Sequence, residues 1–173
     1  MTIDEGKLHA LAGTMINELG AAANGVLLLI GEKLGLYRAL GEHGPLSPDG
    51  LARRTGTNER YVCEWLSAQA ASGFVTYEPK TGLFSLSPEQ SAIMADEESP
   101  VFMGGGFQSL AAVFAGEERL TRAFQTGEGI GWGQHCNCLF CGTERFFRPG
   151  YRFNLVQSWL PALDGVGRDP GLA

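Results

Sequence analysis

His135, Cys136, Cys138 and Cys141 fall within seven positions, the densest set of metal-ligand side chains in the sequence. Cys138 and Cys141 have the CxxC spacing of a zinc knuckle, which tetrahedral sites pair with two further ligands. Those would have to come from Cys136 and His135 in the same short loop, a strained arrangement, or from the remote Cys63. The expected reading is no metal, with these four as the fallback ligands and the thiols lying together in a half-buried loop.

Gly127-Glu128-Gly129-Ile130-Gly131-Trp132-Gly133 has the glycine alternation of nucleotide-type loops. That chemistry requires a buried strand before the glycines, a helix after them and an acidic partner for a ribose about 20 residues on. Here the polar, helical Leu120–Gln125 precedes the run, so a connector is expected. Gly104-Gly105-Gly106 fails the same requirement, and close helix packing or a kink is expected there. Thr143 to Arg152 interleaves Phe146, Phe147 and Tyr151 with Arg145, Arg148 and Arg152, a pattern that could stack single-stranded nucleic acid. The favoured reading is a helix ending at Phe147, a Pro149-Gly150 turn, and a new amphipathic helix. That helix would carry Tyr151, Leu155, Trp159 and Leu163 along one side and dock on a neighbouring domain.

The elements that must position these residues are organised around Leu46–Leu86. Ser47-Pro48 reads as an N-cap with proline at the first helical position, and Gly56 as the stop. Thr57 is expected to cap a second helix bearing Val62, Trp65, Leu66 and Gln69, an apolar stripe broken only at Gln69 and ended by Gly73. Phe74–Tyr77 and Leu83–Leu86 read as strands around a Pro79–Gly82 turn. Helix, turn, helix, hairpin is a winged helix-turn-helix. The fold expected is mostly α, with a two-stranded β wing flanked by N-terminal and C-terminal helices.

Three units are expected: 1–44, 45–98 and 99–173. In the first, Leu8, Leu11, Ala12, Met15 and Leu19 mark one helix, broken at Gly20, and Val26, Ile30, Leu34, Tyr37 and Leu40 a second. Val26–Ile30 is apolar on more than one face and needs cover on both sides, by the winged helix and by a partner subunit or the chain's own core. In the third, Asp96–Glu98 reads as a solvated acidic run before Ser99, a fresh N-cap. Helices Val101–Ala115 and Glu117–Phe124 follow.

Net charge −6 and pI near 5.0 speak against a general nucleic-acid binder, which needs a basic surface. Residues 45–98 hold 4 basic and 8 acidic side chains, the most acidic third of the chain. Glu59 and Glu64 on the second helix would repel phosphate, so DNA is disfavoured as a partner. An acidic start without a long apolar core argues against an export signal, and Val26–Ile30 is too short to span a membrane. Four cysteines without such a signal point to a reduced, cytoplasmic setting.

Four stretches carry a resemblance: LGLYRAL at Leu34–Leu40, LxxRTGTNERYVxEWL at Leu51–Leu66, GTERFFRPGYR at Gly142–Arg152 and WLPALDGV at Trp159–Val166. With them the chain resembles the N-terminal part of bacterial class I S-adenosylmethionine-dependent methyltransferases that place a winged helix before the catalytic domain. The resemblance implies a region for dimerisation and substrate cover, the expected partner being a second copy through the N-terminal helices rather than DNA or membrane. It implies S-adenosylmethionine as cofactor of the complete family but none in this chain, because GRDPGLA replaces the expected glycine-looped sheet after Val166. The cysteines also depart from the acidic or histidine residues expected at 136–141, and together the departures imply a truncated or frame-altered relative. Aromatic clustering and the resemblance point to Trp132, Phe146, Phe147, Arg148 and Tyr151 as a substrate-pocket wall. No catalytic residue is expected. The competing reading is a winged-helix transcriptional regulator, and a plain dimerisation module is the third.

Overall fold

The computed structural model describes residues 3–163, so the last residues of the WLPALDGV stretch lie outside it. The described residues form eight α-helices and one two-stranded antiparallel sheet. The mostly α fold with a small wing is as expected.

The first element differs from the expected pair of helices. Helix α1 runs unbroken for 29 residues from Glu5 to Lys33, capped by the Asp4 carboxylate on the Lys7 N–H. Glycine inside a helix costs about 1 kcal/mol relative to alanine, a weakening and not a stop. The neighbouring Ala21, Ala22 and Ala23 sustain the helix past Gly20. The break comes at Gly35, where φ is +68° and a side chain would be strained, and α2 (Leu36–His43) follows. As one helix, α1 has the length and composition to cross a membrane, which the short Val26–Ile30 run did not suggest.

Helices α3 (Pro48–Thr55) and α4 (Glu59–Ala71) form the helix-turn-helix. Ser47 caps α3 and Gly56 ends it at φ +65°, both as read from the sequence. Asn58, not Thr57, caps α4, its side-chain oxygen accepting from the Arg60 N–H, while the Thr57 hydroxyl turns back to Thr55. Strands β1 (Thr76–Glu78) and β2 (Leu83–Ser85) pair Tyr77 with Phe84. β1 starts two residues later than expected because the Phe74 and Val75 N–H groups both bond the Gln69 carbonyl as α4 ends. Leu46, just before α3, adds a bridge to Phe84 on the other side. Helix α5 (Pro88–Met94) begins with a full capping box between Ser87 and Gln90.

The core lies between α1, α2, α3, α4 and the wing, with Leu36, Leu40, Leu51 and Leu66 sealed inside and Trp65 beside them. Gly31 leaves the space that the Trp65 and Tyr37 rings fill, and the Trp65 indole N–H donates to the Leu27 carbonyl at 2.8 Å. Gln69, the polar break in the α4 stripe, is fully buried. It accepts from the Tyr37 hydroxyl at 2.7 Å and donates to Asn24 Oδ1 at 2.9 Å, tying α1, α2 and α4 together.

Burial holds the Tyr37 phenol well above its ordinary pKa. The unfolded phenol ionises near pH 10 and the folded one later, so the folded state binds the proton more tightly. Stability is therefore present in full below about pH 10 and falls as the pH rises beyond it. Urea titrations at pH 8 and pH 11 should show this fall. Tyr37→Phe should be less stable at pH 8, with Gln69 losing its donor, and should show a flatter alkaline slope; an unchanged slope would mean that other groups drive it.

The remaining helices are α6 (Gly104–Ala115), α7 (Glu117–Thr126) and α8 (Asn137–Asn154), with a π-helical turn at Leu155–Trp159. α6 starts later than expected, because Ser99 and Phe102 sit in tight turns and Met103 precedes the first helical residue. α8 passes straight through Pro149 instead of turning there. Proline removes one helical hydrogen bond, and the packing of α8 on α6 on either side outweighs that local loss. Gly105 of the triple glycine is buried where the two helices cross, which is the close packing expected of it.

Candidate functional site

The exposed side of α8 carries the aromatic residues singled out in the sequence. Trp132, Phe147, Arg148 and Tyr151 line one open groove of about 860 Å³, together with Phe140 and Arg152. Because α8 is continuous, Phe140, Phe147 and Tyr151 fall at seven- and four-residue intervals along one face. Trp132, on a 3₁₀ turn (Trp132–Gln134), closes the end of the groove with its ring centroid 5.0 Å from that of Phe140. Phe146 is the exception. It faces the other way, against Gly106 of α6, and meets the groove residue Phe147 edge-on, with ring centroids 5.1 Å apart.

Trp132, Phe147 and Tyr151 are each more than half exposed, a large apolar area to leave in water. The groove also carries charge. Arg148 grips Glu144 with two hydrogen bonds of 2.7 Å, which hold the Glu144 carboxyl below the usual carboxylate range. Glu144 is thus engaged in an ion pair with Arg148. Arg152 is paired with Glu98. The arrangement can stack a flat, apolar molecule between aromatic faces with two guanidinium groups at its edge.

Glu97 and Glu98 overturn the reading of Asp96–Glu98 as a merely solvated run. Glu97 accepts from Arg145 of α8 at 2.9 Å and from Arg38 of α2 at 3.2 Å, and Glu98 from Arg152. Arg145 also pairs with Glu32 of α1 and donates to Gln108 Oε1 at 3.1 Å. Sequence spacing could not reveal this hub, since its partners lie far apart in the chain.

Gly127–Gly133 leaves α7 through a left-handed Gly127 and runs exposed to the 3₁₀ turn, without a strand before it. The thiols are not in a half-buried loop: Cys136, Cys138 and Cys141 are all exposed, and Cys136 is the N-cap residue of α8. Cys138 donates to Cys136 Sγ at 2.8 Å, but among the described residues no three His, Cys, Asp or Glu side chains converge to hold a metal ion.

The outer face of the helix-turn-helix is mixed in charge. Glu59 and Glu64 share α4 with Arg60, and Arg53 is held by Asp49 at 2.5 Å. Residues 22–96 match the family model of the Rv2258c-like winged HTH domain. This stretch has a winged helix-turn-helix fold.

The match takes in α1 from residue 22 onward along with α2 to α5, in keeping with the shared core between them. No curated protein matches the chain in sequence. Among solved structures, PigF with SAH is similar at 14% identity and a TM-score of 0.66, over 88% of this chain and 48% of that one. The mitomycin 7-O-methyltransferase MmcR is similar at 21% identity and 0.65, over 86% and 46%. Human N-acetylserotonin methyltransferase in complex with SAM is similar at 18% identity and 0.61, over 95% and 51%. The winged domain and the helices after it thus share the fold of about half of each of these proteins, and the chain spans about half the length of the structures it matches.

Proposed function

We propose that this chain is the self-associating, acceptor-covering portion of an S-adenosylmethionine-dependent O-methyltransferase. The observation that carries the reading is the outer row of α1. Leu8, Leu11, Met15, Leu19, Val26 and Ile30 recur at helical spacing and are all exposed, whereas on the opposite side Leu28 and Gly31 are buried in the winged domain and Gly25 is buried against Phe107 of α6. A second copy of the same helix would cover that row. Glu18 in the middle of α1, and the docking of its C-terminal half on Trp65, favour this partner over a bilayer.

The groove on α8 is the part that would lie over a methyl acceptor. The described residues do not fit the sulfonium cofactor itself: the glycine run follows a helix, and both strands belong to the antiparallel wing. Transfer of a methyl group needs the donor held in line with the acceptor. In this reading the donor is held elsewhere than residues 3–163, and the chain alone does not catalyse.

Sedimentation velocity across a concentration series should show a reversible dimer, and Leu11→Glu with Leu19→Glu should leave a helical monomer. Isothermal titration of the 173-residue chain with S-adenosylmethionine should show no heat of binding. A strict monomer would remove the self-association, and tight cofactor binding the division of labour.

A further inference from the structure

The cysteine cluster at the start of α8 is absorbed neither by the winged domain nor by the groove. Cys136 and Cys138 are two residues apart, yet their sulfurs lie 2.8 Å from each other, inside van der Waals contact. The reason is local: Cys136 has extended backbone (φ −71°, ψ 154°) as the residue before the helix, and Asn137 begins the first turn. That bend folds the Cys138 side chain back over Cys136. A disulfide bond is about 2.05 Å long, so closure requires only a small further approach of the sulfurs.

The surroundings favour a reactive thiol. Cys136 sits at the N-terminal end of an 18-residue helix, whose partial positive charge stabilises a thiolate. Arg119 and His135 share its surface dent, with Glu118 as the one acid among its lining residues. The Cys138 S–H donates to Cys136, which lowers the Cys136 pKa and raises that of Cys138. Both thiols are exposed, so an oxidant in solution can reach them.

We propose that Cys136 and Cys138 form a reversible intrachain disulfide, with a hydroperoxide as the oxidant. The Cys136 thiolate attacks the terminal peroxide oxygen and breaks the O–O bond, giving a sulfenic acid and, after protonation of the leaving oxygen, water or an alcohol. Cys138 then loses its proton and attacks the Cys136 sulfur, expelling the hydroxyl as a second water. Two thiols are oxidised by two electrons and one peroxide is reduced, and a dithiol reverses the change.

The reduced full chain would be treated with hydrogen peroxide, alkylated and weighed intact and as peptides. The expected result is a chain about 2 Da lighter before alkylation that takes up two alkyl groups instead of four, reversed by dithiothreitol and mapped to a bridge between Cys136 and Cys138. These two thiols should disappear at least about tenfold faster than Cys63. Cys136→Ser and Cys138→Ser should each abolish the bridge, whereas Cys141→Ser and Cys63→Ser should keep it; circular dichroism checks that all four variants fold. A bridge to Cys141, a disulfide between two chains, or oxidation of all four thiols at similar rates would overturn the assignment.

Discussion

Gly105→Val is expected to lose about 3 kcal/mol of stability, at the upper end of the usual range for overpacking. At Gly105 a β-carbon would meet the Gly142 carbonyl oxygen and the Phe146 backbone nitrogen at 2.6 Å each, and the Arg145 Cβ at 2.8 Å. At Gly142 one would meet the Ser109 backbone nitrogen at 2.6 Å. The α6–α8 crossing is therefore backbone on backbone. No side-chain rotation can make room for a branched residue, so the helices must separate. For a chain of this size 3 kcal/mol corresponds to a melting-point fall of about 6–12 °C. Gly129→Ala is the matched control, with open space around its position and no left-handed backbone; it should stay within about 0.5 kcal/mol. Thermal melts followed by circular dichroism decide the matter. A Gly105→Val melting point within about 2 °C of the parent would mean that α6 and α8 are not in backbone contact.

Such contacts mark the limit of what could be read in advance. The winged domain was legible because its signals are local. Ser47 and Pro48 start α3, Gly56 ends it, and the α4 stripe shows Val62, Trp65 and Leu66 at helical spacing. The stripe's one polar member, Gln69, stood out, but its partners Tyr37 and Asn24 come from other helices and no periodicity points to them. α5 carries the same Ser-Pro start as α3 and could have been read the same way. Local breakers misled where tertiary packing or neighbouring alanines overrode them, as at Gly20 in α1 and Pro149 in α8. The groove was legible as a cluster of residue types. That Phe146 points away from it follows from α8 being one helix, which the Pro-Gly pair concealed.

Arg145→Met is expected to lose about 2–3 kcal/mol and to loosen the join between the winged domain and the helices that carry the groove. The Arg145 side chain is only 20% exposed and its guanidinium reaches Glu32, Glu97 and Gln108, from α1, the 95–103 connection and α6. It also lies 5.8 Å over the Phe102 ring. Methionine fills much of the same volume but leaves the Glu32 carboxylate, 16% exposed, without its cation. Residual solvent keeps the loss below the value for a fully buried pair. Arg145→Lys should recover only part of it, because one ammonium cannot replace a planar fork that reaches three acceptors. Arg148, whose ion pair with Glu144 is exposed on the groove, should be replaceable by methionine without a measurable change in the melting point. The loosening has its own readout. In Arg145→Met, limited proteolysis should cut within residues 95–103 well before the parent is cut there, while the core around Trp65 keeps its fluorescence. If Arg145→Met melts and resists protease like the parent, its ion pairs are dispensable, and the remaining contacts, among them Phe107 on Gly25 and the Arg38–Glu97 pair, hold the two parts together.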